Sequence, residues 1–586
     1  MTERFSGVVD IEAAGLLDEI SGPEDIYMIG TLDMEGRTTC YTGPGIEEGL
    51  RVLEDAELLI THNGLGYDFP ALRRCFPSFK LTGTIRDTLV MARIAFPDLK
   101  EKDWQKHSAD AASLPKEAIG RHSLKAWGHR LGILKDGFGE DVDWATSGFS
   151  KEMMEYCFQD CRVTMALWDH LEKQNLSPHA VQLEHSFALT LVLQELHGFR
   201  FDVEKAETLA GKLVADRAQL DDQLQEAFPP IEEEYETPKK KVKKTRTITF
   251  NPSSRVQIGQ RFKAMGWEPT EFTPDGRPRI DESVLKSMPY PEAEVLLKSL
   301  MLDKRLGQLV NGKNALLKLV QGDSRIRGRV LHIGTVSGRC SHSKPNCAQL
   351  PNLGSEYGKE FRELFTVPPG YRLVGVDLKS AELRVLAGYL SKYDGGKYID
   401  IVLNEDVHQA NADALEISRS QAKTAVYCWL YGGSAQLLGE VVGGGAKEGK
   451  ALQAKWYSKM PALKRFKQGV IEAAKRGYLY GLDKRRLPVR SPHSAVNLLL
   501  QSGAALLCKH ATVLLHKSLS DRLAYGVEWA MVAHVHDELQ LEVIETHAEE
   551  VAQATVQAIA ESSEGFDFPC PMAADFSIGS SWAETH

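Results

Sequence analysis

Carboxylates stand in this chain where a fold can least tolerate them. Phe5 to Ile11 is a short apolar run of strand-forming residues into which Asp10 and then Glu12 are set, and Leu373 to Asp377 is a second such run ending in an acid. Runs rich in Val, Ile and Leu belong inside sheets. An ionised carboxylate taken there is costly unless a cation or several donors compensate it. The fold must therefore keep these acids at the rim of their sheets or gather them around positive charge. Both runs must also find partner strands within 586 residues, a length that at roughly 100–200 residues per domain corresponds to about three to five domains. With 43% hydrophobic and 26% charged residues, a wholly disordered or fibrous chain is excluded.

The first block reads as α/β. Ile26 to Ile29 and Thr38 to Tyr41 are candidates to pair beside Phe5 to Ile11, and Leu58 to His62 is a strand running into the turn Asn63-Gly64. Ser150 is a plausible cap for a helix that carries Tyr156 and Asp160 four residues apart, on one face. The block is expected to end near residue 190. From about 191 to 330 the chain looks helical and elongated, with helix-like apolar spacing over Ser283 to Leu309. This region holds a charge switch: Glu232, Glu233, Glu234 and Glu236, then Lys239, Lys240, Lys241, Lys243, Lys244 and Arg246. It reads either as a solvated loop or as a tip that contacts phosphates.

Beyond 331, helices are expected from Ser418 to about Leu430 and from about Ser494 to Leu515. Strands are expected at Trp529 to Val535 and Leu539 to Val543, flanking a turn with Asp537 and Glu538. Leu498 to Leu515 is interrupted by Gln501, Lys509 and His510, so it reads as a buried helix and not a membrane span. No basic stretch followed by an apolar one opens the chain, so no secretory signal and no membrane association are expected. Nine cysteines without a repeated Cys-x-x-Cys spacing, Cys157, Cys161, Cys340 and Cys347 among them, read as core or incidental thiols in a reducing compartment. The formal net charge of −10 argues against a general nucleic-acid coat and leaves room for a local basic cleft.

Asp10 and Glu12 are two apart and face one side of a strand. With Asp68 after the Asn63-Gly64 turn and Asp160 on the later helix, they could make an oxygen-rich site for hard cations, which would activate water for an in-line phosphoryl displacement. Alone, each acid reads equally as a solvent-exposed residue. The run Val9-Asp10-Ile11-Glu12, the run His62-Asn63-Gly64 with Tyr67-Asp68, and Tyr156-x-x-x-Asp160 resemble the three motifs of the proofreading 3′–5′ exonuclease family. That resemblance implies Asp10, Glu12, Asp68 and Asp160 as metal ligands and Tyr156 as the residue orienting the attacking water.

Asp377 and Asp537 are 160 positions apart, so only a fold can join them. Between them Arg419, Lys423, Tyr427 and Tyr431 recur every four residues along one helix face, a pattern suited to phosphates and to base and sugar surfaces, or to an ordinary mixed surface stripe. Asp377 with Glu382-Leu383-Arg384, the helix Arg419 to Gly432, His536-Asp537-Glu538, Thr335 to Arg339, Asn346-x-x-Gln349 and Gln501 together resemble the family A DNA polymerases, close to the replicative enzymes of short-tailed bacteriophages. The resemblance covers nearly the whole chain.

What the resemblance implies is specific. The fold would be an α/β, ribonuclease-H-like exonuclease domain over 1–190 and a right-hand polymerase: thumb and connecting helices over 191–330, palm over 331–403 and 491–586, and fingers over 404–490. The activity would be DNA-templated addition of dNTPs to a primer 3′ end, with 3′–5′ proofreading. Asp377 and Asp537 would hold two Mg²⁺ ions, with Mn²⁺ as a substitute, and the first site would likewise hold two. Glu538 would support the polymerase site. Arg419 and Lys423 would clamp phosphates, Lys423 also as a proton donor. Tyr427 would face the incoming sugar, and Tyr431 with Glu382 would exclude a 2′-hydroxyl. Arg339, Asn346, Gln349, Gln501 and His536 would contact the primer–template. Expected partners are primer–template DNA, dNTPs and a replicative helicase–primase, in the cytoplasm of a host cell if the chain is viral.

Two departures stand out. Lys379 takes the place of a small hydroxyl residue two positions after Asp377 and, on a continuing strand, would point toward the metals. Before Phe250-Asn251-Pro252, where some relatives insert a thioredoxin-recruiting module, only the charged segment 229–248 is present, so thioredoxin is not an expected partner. The alternatives are an exonuclease whose second half only binds DNA, a noncatalytic replication scaffold, and a single-subunit RNA polymerase. The two acidic sets disfavour the scaffold, and the exonuclease set with the Glu382/Tyr431 pair disfavours the last.

Overall fold

The computed structural model describes residues 4–110, 114–134, 142–236 and 243–586. Its first unit is built on five strands: β1 (Ser6–Ala13), β2 (Ile26–Asp33), β3 (Thr38–Thr42), β4 (Leu58–Thr61) and β5 (Thr84–Asp87), in the order β3-β2-β1-β4-β5. β1 runs antiparallel to β2 and parallel to β4, and β5 runs parallel to β4. The central strand is β1, whose Val8, Val9 and Ile11 are buried. Helix α1 (Lys151–Glu172) lies across β1 and β2. Ser150 starts it as expected, its Oγ accepting from the Met153 N–H at 3.1 Å.

Helix α2 (Pro178–His197) joins this unit to the rest. Ala180, Val181 and Ala188 pack into the first core, while Phe187 and Leu191 pack into the larger second one. Between them the fully buried Glu184 accepts from Lys509 Nζ at 2.6 Å and lies 2.7 Å from Arg485 Nη2 and 2.8 Å from His332 Nδ1. Arg485 is shared with the buried Asp483 at 2.6 Å. Two carboxylates thus face two cations, which is the condition for burying charge at all. Burial alone would raise the Glu184 carboxyl, but Lys509 and Arg485 hold it well below the usual carboxylate range. Burial brings His332 down to about 4, so it enters the cluster neutral.

The middle region departs from the expected all-helical reading. Helices Val203–Ala227 and Pro291–Leu306 pack against each other, the second following a break after Ser287 within the expected span. The charge switch, read from sequence as a loop or tip, forms an antiparallel hairpin of β6 (Ile231–Glu236) and β7 (Lys243–Ile248). Across it Arg246 pairs with Glu233 at 2.5 Å and Lys243 with Glu234 at 3.9 Å, so the acidic half neutralises part of the basic half. Lys239, Lys240 and Lys241 lie outside the described residues.

The last unit centres on a four-stranded antiparallel sheet. Its strands are β8 (Tyr371–Leu378), β11 (Trp529–Val535), β12 (Glu538–Ile544) and β13 (Ala574–Gly579), in the order β11-β12-β8-β13. Between β8 and β11 come α3 (Ala381–Asp394), α4 (Arg419–Leu430), α5 (Pro461–Ala474), the hairpin β9 (Tyr478–Tyr480) and β10 (Arg486–Pro488), and α6 (Ala495–Ser520). α6 belongs to the one stretch among the described residues long and apolar enough to cross a membrane, and 78% of its apolar window is buried within the protein, as its polar interruptions suggested. Each Leu or Val it buries contributes about 1.5–3 kcal/mol.

Candidate active sites

Two carboxylate clusters form, one in each unit. In the first, β1 presents Asp10 and Glu12 on one face. Asp68 opens the helix Asp68–Cys75, and its Oδ1 accepts from the Ile11 N–H at 3.2 Å. Asp160 comes from α1, one turn beyond the buried Tyr156. The structure therefore brings together all four acids singled out in the sequence, with Tyr156 on the same helix. Burial pushes Asp10 well above its ordinary value, reinforced by Asp68, Glu12 and Asp160. Burial likewise raises Asp68 to about 7. Four carboxylates gathered in this way form an oxygen donor set suited to hard divalent cations.

Two residues here escaped the sequence reading. Asp87, buried at the end of β5, accepts from the N–H groups of Asn63 (2.9 Å), Leu65 (3.2 Å) and Leu89 (2.9 Å), fixing the loop that delivers Asp68. An aspartate before Thr88 at a helix start was a readable cap signal. A Cβ at Gly64 would meet Thr61 Oγ1 at 2.2 Å, so this turn closes only on glycine. Cys157, read as a core or incidental thiol, is a core residue that also borders the site: its Sγ is 3.6 Å from Asp10 Oδ2, and Asp10, Glu12 and Cys157 present ligand atoms within 4.8 Å of one another. Gly30 makes room for it, since a Cβ there would lie 2.5 Å from the sulfur.

In the second cluster, Asp377 lies on β8 between Glu538 of β12 and Asp575 of β13. The Leu378 N–H donates to Asp537 O at 3.0 Å, which closes the 160-residue gap between the two aspartates. Burial raises Asp377 to about 6, with Asp537 and Glu538 adding to it. Burial and Glu382 raise Asp537. Glu538 is the first residue of β12 and not part of the turn, which is a correction to the sequence reading. Its oxygens are taken by Trp582 Nε1 (2.5 Å), Gln540 Nε2 (2.7 Å) and His586 Nδ1 (2.9 Å). Burial would raise this carboxyl, yet these donors, His586 foremost, hold it below its ordinary value.

Lys379 does not point at the aspartates. β8 ends at Leu378 and Ser380 takes a left-handed conformation (φ 47°), so strand alternation stops and the ammonium pairs with Asp575 at 2.5 Å. Glu382 on α3 binds Arg339 Nη2 at 2.6 Å and receives a hydrogen bond from Tyr431. Both are near Asp537, on a shared cavity with His536. On α4, Arg419 is held by Asp406 at 2.7 Å, Lys423 is exposed, and the rings of Tyr427 and Tyr431 stack at 6.1 Å. His408, missed in the sequence, adds a ring 6.0 Å from Tyr427; burial, Lys423 and Arg419 lower its pKa. His536 lies 5.9 Å from His342. Gln501 is half-buried on α6. Asn346 and Gln349 stand exposed on a separate short turn, tied back through Gln308 to Gln349 O at 2.9 Å.

Residues 221–584 match the model of DNA polymerase family A. The chain is 30% identical to a DNA-directed DNA polymerase of Escherichia phage T7, over 99% of this chain and all of that one. It is also 30% identical to that of Enterobacteria phage T3, over 90% and 92% of the two chains. Among solved structures, the POL domain of Pol1 from M. smegmatis in complex with DNA primer-template and dNTP has the same fold: TM-score 0.76, 18% identity, covering 100% of this chain and 96% of that one.

Proposed function

The chain belongs to DNA polymerase family A and is a DNA-directed DNA polymerase, and from that premise we propose that it extends primers at Asp377 and Asp537 and excises 3′ ends at Asp10, Glu12, Asp68 and Asp160. The observation that carries the reading is the juxtaposition of Asp377 with Asp537, beside Tyr427 and Tyr431 from the α4 stripe, whose hydroxyls both feel Asp537. Family A polymerases use divalent metals, and the raised carboxyls fit such ions at both clusters. Bound as pairs, Mg²⁺ or Mn²⁺ would supply Lewis acidity for deprotonating a primer hydroxyl or a water and for steadying the leaving oxygen.

The chain's own groups do the rest. Lys423, with Arg419 once released from Asp406, binds the triphosphate, and Lys423 donates a proton to leaving pyrophosphate. Tyr427 lies against the sugar. The Tyr431–Glu382 bond walls off the position of a 2′-hydroxyl. Glu538, with its oxygens committed, positions the turn. Arg339 and Gln501 contact minor-groove acceptors common to every base pair, His536 the primer end, and Asn346 and Gln349 the template–primer junction. At the other cluster Tyr156 orients water. Domain divisions at 190, 330, 403 and 490, a helicase–primase partner, no dependence on thioredoxin, and action in a host cytoplasm complete the proposal. Primer extension on a defined template with Mg²⁺, comparing dNTPs with rNTPs and paired with mispaired primers, tests it. Failure to extend with dNTPs, or to trim the mispaired end, would overturn the corresponding half.

A further inference from the structure

The hairpin β9–β10 has two unlike faces. Strand alternation turns Leu479 and Leu487 into the core, where they are fully buried, and turns Tyr478, Tyr480 and Arg486 outward. The two rings meet edge to face at 5.4 Å. Arg476 lies 5.0 and 4.9 Å from their centroids, and Arg486 lies 5.2 Å from that of Tyr478. Tyr480 is 45% exposed, and Lys484 at the hairpin turn is exposed as well. Among the described residues no carboxylate pairs with Arg476 or Arg486, although the chain carries ten more acids than bases. Neighbouring guanidiniums repel, so this grouping is one that an anion would complete.

The platform is also rigid. Asp483 O accepts from Ser177 Oγ at 2.6 Å, and Arg485, at the same turn, is locked into the buried Glu184 cluster. Exposed rings alternating with guanidiniums on a fixed support match one chemistry best: a phosphate backbone bearing accessible bases, that is, single-stranded nucleic acid. A duplex hides its base faces, and an acidic peptide would leave the rings idle. The hairpin continues directly from α5 and leads into α6, which α4 also contacts, and the chain just past the hairpin approaches the end of α4, where a Cβ at Gly432 would meet His493 O at 3.2 Å. The strand that is single there in every cycle is the template ahead of the new pair. We propose that Arg476, Tyr478, Tyr480 and Arg486 hold the unpaired template strand, a site that rests on the polymerising role proposed for Asp377 and Asp537.

Binding of the full chain to primer–template DNA, without nucleotide, tests this with two overhangs: a single template nucleotide, and a stretch of about a dozen, within the range one such surface covers. The long overhang should bind more tightly by at least about fivefold, the scale of one stacked base. Tyr478→Ala with Tyr480→Ala should remove most of that gain, and Tyr→Phe at both positions should keep it. Arg476→Gln with Arg486→Gln should lower the salt slope for the long overhang by about 1.4, at roughly 0.7 per phosphate on a single strand. Extension on the single-nucleotide overhang should be unchanged, with thermal melting reporting that each variant is folded. Equal affinity of the parent chain for both DNAs, or equal weakening of both by the Tyr→Ala pair, overturns the proposal. So does a Tyr→Ala pair that slows excision of single-stranded 3′ ends while the overhang gain stays, because the occupant is then the primer strand. A parent that keeps the overhang gain but never extends primers leaves the platform standing and refutes the polymerising role instead.

Discussion

The two carboxylate clusters ask for the same kind of ion in different surroundings. Asp10 and Glu12 come from the middle of a sheet, Asp160 from the helix over it and Asp68 from the start of a shorter helix, and burial is the largest influence on Asp10 and Asp68. Asp377 sits exposed near the end of its strand, and the third acid beside it, Glu538, is drawn away by Trp582, Gln540 and His586. The first arrangement keeps Asp10 and Asp68 from ionising readily. In the second, Asp377 is exposed while Asp537 lines a cavity with Glu382, Arg339 and His536. Depth in the fold, more than ligand identity, separates them.

The comparison is broken most severely if the clusters are not independent. Asp377→Ala or Asp537→Ala should reduce extension at least about 1,000-fold, a loss of several kcal/mol of transition-state stabilisation, and leave excision of single-stranded 3′ ends intact. Asp10→Ala with Glu12→Ala should do the reverse. Both activities measured on each folded variant decide it, and joint loss from either set removes the two-site reading.

Depth predicts a pH signature for the first cluster. Asp68 titrates at about 7 when folded, against about 3.9 in an unfolded chain. Between those values the folded chain holds a proton that the unfolded chain has released. Stability without divalent ions should therefore fall as pH rises from about 4 to about 7, by up to roughly 4 kcal/mol, and then level off. Melting curves in chelator should show the decline, Mg²⁺ should relieve it, and Asp68→Asn should flatten it.

A smaller effect sharpens the second cluster. Tyr427 should let the enzyme accept a sugar lacking its 3′-hydroxyl, because its own hydroxyl can replace the missing hydrogen bond. Tyr427→Phe should raise the discrimination against dideoxynucleotides by about 1–3 kcal/mol and change dNTP use much less. The ratio of incorporation efficiencies in an Asp10→Ala, Glu12→Ala background measures this, and equal ratios would move Tyr427 away from the sugar. The least effect is expected at the hairpin β6–β7. Arg246 and Lys243 already face Glu233 and Glu234, so neutralising Lys243, Lys244 and Arg246 should lower the salt slope of duplex binding by only about 0.9, one phosphate's worth. A drop three times as large would mean that DNA displaces both acids.

Much of this was readable from the residues. The strands around Asp10, the Ser150 cap and the four-residue stripe on α4 follow from local periodicity, which survives folding unchanged. The charged hairpin did not, because Glu and Lys runs have no apolar period and its pairing exists only across strands. The direction of Lys379 could not be read from the sequence, because the strand's end, one residue earlier, is set by the left-handed turn at Ser380. Asp87 was passed over although its cap position was readable, and Glu184 because its partners, from His332 to Lys509, lie 148 to 325 positions away.

The cluster around Glu184 bears on whether the two activities can be pulled apart. A fragment ending near residue 190 would keep Glu184 stripped of Lys509 and Arg485, and the complementary fragment would keep Lys509 without its carboxylate, with Arg485 left to Asp483 alone. Losing one side of such a pair costs about 3–5 kcal/mol, comparable to much of the stability a domain possesses. Proteolysis or gene truncation should therefore yield no soluble halves from this chain, and heat should melt it in a single transition. The two carboxylate clusters then belong to one inseparable folding unit, and a lineage could silence either by substitution far more easily than by deletion.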